Sequence, residues 1–169
     1  AVLPPESQQG SAAPPGAVAM SAEEEQSLRM ALEGLVGTWA LARPLDFGFI
    51  TFNMKTTYFP KKSNEEFYEM LDQYDMKMCG CCPLPAQSKR WKLTADGKSF
   101  AREDGMANGL LVSWDAQSMK AVHTCACVSQ KSRRSYVMTQ TIDFRLMTMT
   151  VDCPHEPDSG PAYITRAPR

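Results

Sequence analysis

The chain of 169 residues is short of several features that would announce a function. No stretch approaches the roughly 18 apolar residues of a bilayer-spanning helix, and the first residues lack the basic start and apolar centre of a secretory signal. Either the protein is not exported or such a segment has already been removed. The expectation is a cytoplasmic location, with an organelle lumen or the secreted space as the alternative. An excess of one charge sign is also missing, since 18 basic against 19 acidic residues leave a net charge of −1. That excludes the field by which a chain is drawn in bulk to nucleic acid or to an anionic membrane. There is no phosphate-binding glycine loop, no nucleophile elbow and no pair of metal-spaced histidines. Of the two histidines, His155 lies in a proline-flanked turn beside Glu156 and Asp158, so acid–base catalysis has no positive support. No catalytic residue, metal or cofactor is nominated.

Six cysteines are present, but Cys79-x-Cys81-Cys82 and Cys125-x-Cys127 are spaced too tightly for a small secreted disulfide framework. A reducing compartment fits better, although a bridge from Cys153 to the Cys79–Cys82 group stays open. Strand alternation places His123, Cys125 and Cys127 on one face. Soft ligands of this kind suit zinc or copper, yet the two-residue spacer of structural zinc sites is absent. Small buried side chains facing a core or a cavity are the expected outcome.

Residues 1–20 read as a disordered leader, because Ala1 to Ala19 offer too little apolar surface to offset their ordering entropy. Met20 would make a natural internal start, so the leader is set apart from a single folded domain over 21–169. Ser21 and Glu24 form a capping-box pattern, and Leu28, Ala31, Leu32 and Leu35 recur at helical spacing, which predicts a helix over about Ala22 to Glu33 with Gly34 as its C-cap. Phe47 to Phe59 alternates with period two and predicts a strand ended by Pro60. Ser63 with Glu66, then Phe67, Met70, Leu71 and Tyr74 on one stripe, predicts a second helix over Asn64 to Tyr74. Cys79 to Pro85 reads as a loop. Arg90 to Thr94 and Lys98 to Glu103 flank Asp96-Gly97 and predict a hairpin with a type I′ turn. Further strands are expected over Leu110–Trp114, Met119–Val128, Ser135–Ile142, Phe144–Asp152 and Ala162–Arg166. The loop carrying Lys131, Arg133 and Arg134 reads as a solvated cationic turn.

About eight strands at short spacing, without a βαβ rhythm, predict a mainly β fold. An antiparallel up-and-down barrel of about 8–10 strands, with an N-terminal helix and one short internal helix, solves the edge problem and leaves room for one small ligand. The eleven methionines suit an adaptable apolar cavity as well as an irregular core. If a cavity exists, alternation nominates Ile50, Phe52, Met54, Tyr136, Met138, Met147 and Met149 as its lining, the opposite faces being the alternative.

The two ends of the pattern carry a family likeness. Leu35-Val36-Gly37-Thr38-Trp39 hands a helix over to a strand bearing a tryptophan, and Tyr163-Ile164-Thr165-Arg166 closes the last strand. Together they resemble the calycin superfamily, the lipocalins and fatty-acid-binding proteins. The resemblance implies a barrel closed at one end by the helix and holding a small hydrophobic or amphipathic ligand such as a lipid, fatty acid or pigment, without catalysis. It also implies two uses for Arg166. As in fatty-acid-binding proteins it would grip a ligand carboxylate, although the partner tyrosine's position is Pro168; as in lipocalins it would stack on Trp39 and close the barrel end. The alternative function is that of an accessory subunit of a larger assembly, with a filled barrel and a protein partner met through the leader or the Cys79–Cys82 loop. A third is a calycin-type isomerase or lyase.

Overall fold

Ser21 opens the first helix with a completed capping box: Glu24 N–H donates to Ser21 Oγ at 3.2 Å and Ser21 N–H to Glu24 Oε2 at 2.7 Å. The helix it starts, α1 (Ala22–Glu33), buries Leu28, Ala31 and Leu32 and ends at Gly34. This computed structural model describes residues 18–129, 133–153 and 162–166. After α1 every described element is a strand: β1 (Gly37–Leu41), β2 (Leu45–Phe47), β3 (Ile50–Tyr58), β4 (Phe67–Met78), β5 (Cys82–Pro83), β6 (Gln87–Thr94), β7 (Ser99–Arg102), β8 (Ala107–Asp115), β9 (Lys120–Val128), β10 (Ser135–Asp143), β11 (Thr148–Asp152) and β12 (Ala162–Arg166).

All pairings are antiparallel, and ten strands close on themselves in the order β3, β1, β12, β11, β10, β9, β8, β7, β6, β4 and back to β3. Each barrel strand therefore pairs with its neighbour in the chain, as in an up-and-down barrel. The short β2 and β5 stand outside the ring. β2 pairs with Ile50–Phe52 of β3, and β5 pairs with Lys77 and Met78 of β4.

The helix seals one barrel end. Leu28, Leu32 and Leu35 are at most 1 % exposed, beneath which lie Trp39, Tyr58, Ala121, Ile142, Met149 and Ile164. Burying each of those leucines contributes about 1.5–3 kcal/mol relative to leaving it in water. Trp39 Nε1 donates to the Leu35 carbonyl at 2.8 Å, so the tryptophan ties the helix exit to the barrel floor. On the far side, Lys98 Nζ meets Glu25 Oε1 at 2.5 Å.

Several expectations need correction. No helix covers Asn64–Tyr74; most of that segment is the first part of β4. Its apolar residues satisfy both periods, and the strand wins because β3 would otherwise present a nine-residue unpaired edge. With the strand, Tyr68, Met70, Asp72 and Tyr74 share one face, whereas the helical stripe had grouped Phe67, Met70, Leu71 and Tyr74. The strand expected over Phe47–Phe59 is broken by the two-residue loop Gly48-Phe49, where Gly48 takes φ 68° and β2 folds back on β3. At Asp96-Gly97 only Gly97 is left-handed, at φ 72°. The turn is therefore not type I′; Asp96 Oδ1 accepts from Lys98 N–H at 3.0 Å and Thr94 Oγ1 at 2.6 Å. Met119 (φ 57°) and Met147 (φ 51°) sit in turns, so β9 and β11 begin just after them. Of the expected leader, residues 1–17 lie outside the described residues, while Val18 and Met20 pack against the core.

Gly97 is where the helix and the barrel approach most closely. A Cβ there would lie 2.8 Å from Leu32 Cδ1 and 3.3 Å from Leu28 Cδ2, on a backbone already in the left-handed region. Gly97→Ala is expected to destabilise the fold by about 2–4 kcal/mol, from the left-handed penalty and the overpacking together. A denaturant midpoint unchanged from the parent would contradict this account of helix docking.

Candidate functional site

Register and alternation settle which side chains enter the barrel. Phe52, Met54, Thr56 and Tyr58 of β3 face inward beside Tyr68, Met70, Asp72 and Tyr74 of β4, then Trp91 and Leu93 of β6 and Phe100 and Arg102 of β7. The ring continues through Leu111, His123, Cys125 and Cys127 to Tyr136, Met138 and Gln140, then Met149 and Val151. The lining is not uniformly buried. Near α1, inward residues such as Trp39, Tyr58, Met70, Leu93 and Met149 are buried. Toward the opposite end, Phe52, Met54, Tyr74, Tyr136, Met138, Gln140 and Val151 keep part of their surface accessible. One half is a packed core; the side chains of the other keep part of their surface open to solvent.

A polar group of residues sits where the two halves meet. Asp72 is 8 % exposed and accepts from Thr56 Oγ1 at 2.6 Å and from the Tyr74 hydroxyl at 3.0 Å. Burial pushes its carboxyl above the usual carboxylate range, against the pull of those donors and of Arg102. Arg102 lies with its Cζ 5.7 Å from the centre of the Trp91 ring, and its Nε donates to Asp104 Oδ1 at 2.6 Å. The Arg102 side chain is 10 % exposed, yet its Nη2 is buried without a hydrogen-bond partner. Trp91 Nε1 likewise faces Asp72 without completing a bond. A desolvated, unpaired N–H is costly, and here one guanidinium and one indole donor are left so.

Sulfur and phenol line the adjoining wall. Cys125 and Cys127 are buried with their Sγ atoms 3.4 Å apart, and Tyr136 lies directly across from Cys127. Contact with the Cys125 thiol and the Tyr136 hydroxyl holds Cys127 below the ordinary thiol range, while the same contact and burial push Cys125 above it. The Tyr136 phenol is pushed up to about 12, first by burial and then by Cys127. None of the cysteines is in a disulfide, so Cys153 does not bridge to the Cys79–Cys82 loop. Among the described residues no group of three or more His, Cys, Asp or Glu side chains could hold a metal ion.

The residues expected from the sequence are distributed unevenly over this interior. Ile50, Phe52, Met54, Tyr136 and Met138 line the open half or its rim, and Phe52 stacks on Tyr74 with ring centres 5.6 Å apart. Met149 is 1 % exposed in the packed half, where the Tyr58 hydroxyl contacts its Sδ at 3.8 Å. Met147 sits in the β10–β11 turn, against the helix exit at Gly34. Arg166 lies opposite Trp39 in the register, and its Nη1 and Nη2 donate to the carbonyls of Gly34 at 3.2 Å and Val36 at 2.7 Å. Arg166 thus belongs to the closed end, with two of its donors on backbone carbonyls. Arg102, Asp72, Trp91 and Tyr74 were not nominated from the sequence. An arginine two residues after Phe100 on a short alternating strand was the one available signal.

A shallow crevice of about 240 Å³ borders Tyr74 from outside the ring, between β4 and the start of β6. A wider one, of about 610 Å³, runs along the outer face of α1 by Met30 and Met119. Neither contains the Arg102 cluster. Among the described residues no helix is long and apolar enough to cross a membrane. Comparison of the chain with protein-family models and with curated proteins finds no match.

His123 is packed inside the closed half with one ring nitrogen bonded and Nδ1 buried without a partner. It is 1 % exposed, packs edge-on to Phe100 and uses Nε2 on the Gly97 carbonyl at 2.9 Å. Burial holds its pKa below the ordinary value, so the folded state keeps it neutral where the unfolded chain takes up a proton. Its contribution is complete above the unfolded value of about 6.5 and is lost as pH falls below it. Between pH 7 and pH 5.5 the parent is expected to lose about 1 kcal/mol more stability than His123→Gln, as read from urea midpoints at the two pH values. Equal losses would remove His123 as the source.

Proposed function

We propose that the open half of the barrel binds one small amphipathic molecule of the lipid, fatty-acid or pigment class, without chemical turnover, in the manner of a calycin. The observation that carries this reading is the buried, unpartnered Nη2 of Arg102 beside the half of the interior whose side chains are partly exposed. A bound acceptor group would satisfy that donor. The ligand's apolar part would lie against Phe52, Met54, Tyr74 and Met138, the gain being about 25 cal/mol per Å² of apolar surface removed from water. Ile50 and Tyr136 would stand at the rim and the wall, and Met149 and Met147 would support the site from behind. Arg166 closes the helix end in this reading, beside Trp39, and does not grip the ligand. Burying a ligand without a hydrogen-bond acceptor would leave the Arg102 donor as costly as before, so amphipathic ligands are favoured over pure hydrocarbons.

Native mass spectrometry of the protein from its own source, compared with the denatured mass, tests the reading directly. A small-molecule mass lost on denaturation supports it. A clean apo mass, with no uptake from a panel of lipids and pigments, overturns it in favour of a filled barrel serving a larger assembly. With oleate as the probe, Arg102→Leu is expected to weaken binding about 10–100-fold, the worth of one charge-assisted hydrogen bond. Methyl oleate binding should change much less. Equal losses for both probes would mean that Arg102 acts on the fold and not on the ligand.

A further inference from the structure

The wall of the barrel is not level at its open end. β1 pairs only with Lys55–Tyr58 of β3, and β6 pairs only with Phe67–Tyr74 of β4. Beyond those limits β3 and β4 continue together, flanked by β2 and β5, as a four-stranded flap that rises past the mouth. Alternation gives the flap two faces. Asp46, Thr51, Asp75 and Lys77 take the outer one, while Leu45, Ile50, Phe52 and Met76 take the face continuous with the barrel interior. Phe47 packs edge-on to Phe52 with ring centres 6.5 Å apart, and Phe52 in turn meets Tyr74. A chain of aromatic contacts therefore runs from the flap tip to Tyr74, whose hydroxyl donates to Asp72.

The tip itself is apolar and exposed. Phe47, Phe49 and Met78 are 40 %, 67 % and 41 % exposed, and the hairpin loop Gly48-Phe49 is held to the neighbouring loop by Cys79 N–H donating to the Phe49 carbonyl at 2.7 Å. Projecting aromatics at a hairpin tip can enter the apolar margin of a bilayer at shallow depth while the strand edges behind them stay hydrated. The exposed area of the three side chains is roughly 300 Å², taking about 200 Å² for each large side chain. A stable protein partner covers about 800 Å² on each side. A bilayer interface needs no matching patch and accepts a small aromatic tip. Asp46 sits on the outer face, with Thr51 Oγ1 donating to it at 2.9 Å, so no unpaired carboxylate on the apolar face opposes insertion.

We propose that the flap tip, Phe47, Phe49 and Met78, is a docking surface for a lipid bilayer, set where a ligand drawn from the membrane would pass into the barrel. The docking rests on the flap alone; its connection to ligand loading rests on the binding function proposed above. Charge plays no part in it, so the surface engages zwitterionic lipid.

The test is flotation of the full chain with phosphatidylcholine vesicles, alongside oleate binding in vesicle-free solution. The parent is expected to float. Phe49→Ser should reduce partitioning at least tenfold, and Phe47→Ser/Phe49→Ser should abolish it, while both variants keep the parent's affinity for oleate in solution. A parent that binds oleate but does not float overturns the docking and leaves the binding function standing. Flotation with no oleate uptake in either setting supports the docking and sinks the binding function. Flotation that survives Phe49→Ser but is removed by salt, or appears only with phosphatidylserine, overturns the proposal. So does a concentration-dependent dimer that Phe49→Ser dissolves, because the tip's partner would then be a second copy of the chain.

Discussion

Any edge of a β-sheet leaves a row of unpaired N–H and C=O groups, and the pairing of β3 with β4 closes the ten-stranded ring, leaving only the short β2 and β5 as edges among the described residues. Nine register pairs, from Ile50 with Met78 to Tyr58 with Met70, join the early strands to the rest of the ring. The pairing of Trp39 to Leu41 with Ile164 to Arg166 joins the first strand to the last. Once the ring is closed, one set of alternating side chains must point inward, and the content of that set decides what the interior can do. Closure also explains why a segment with passable helical periodicity is a strand. Local helix formation would strand the whole edge of β3, whereas β4 satisfies it with residues of good strand propensity such as Phe67, Tyr68 and Tyr74.

The sequence made the ends of the barrel legible and left its floor obscure. The Ser21–Glu24 capping box, the leucine stripe of α1 and the sharp period-two runs of β9 and β10 are local signals, and the structure follows them. What misled was length and parity. Over Phe67 to Tyr74 apolar residues fall at spacings that serve either a helix or a strand, and only a nonlocal partner decides between them. That ambiguity hid Asp72, which reads as a solvent-facing helical residue until the alternation of β4 turns it inward. Arg102 was missed for a related reason. At the end of a short strand before Glu103-Asp104-Gly105 a charged residue reads as a turn residue, and its burial depends on Trp91 lying opposite it in the register. Met147 shows the converse error, since a residue expected on a strand face lies in a turn at φ 51°.

The two ends of the molecule solve opposite problems with the same kind of residue. Arg166 at the closed end gives two of its guanidinium donors to the Gly34 and Val36 carbonyls, which fixes the helix exit. Arg102, at the floor of the open half, has one donor committed to Asp104 and another left over. A sequence comparison would rank the two arginines by their likeness to a motif and choose Arg166. Their hydrogen bonding ranks them the other way, because recognition requires a polar group whose valence the protein has not already filled. An interior polar cluster that is fully satisfied rigidifies a core, whereas one that is short of a single acceptor favours whatever brings that acceptor in. In the proposed reading the flap supplies the approach to that donor, since the Phe47–Phe52–Tyr74 contacts lead from its exposed tip to Asp72.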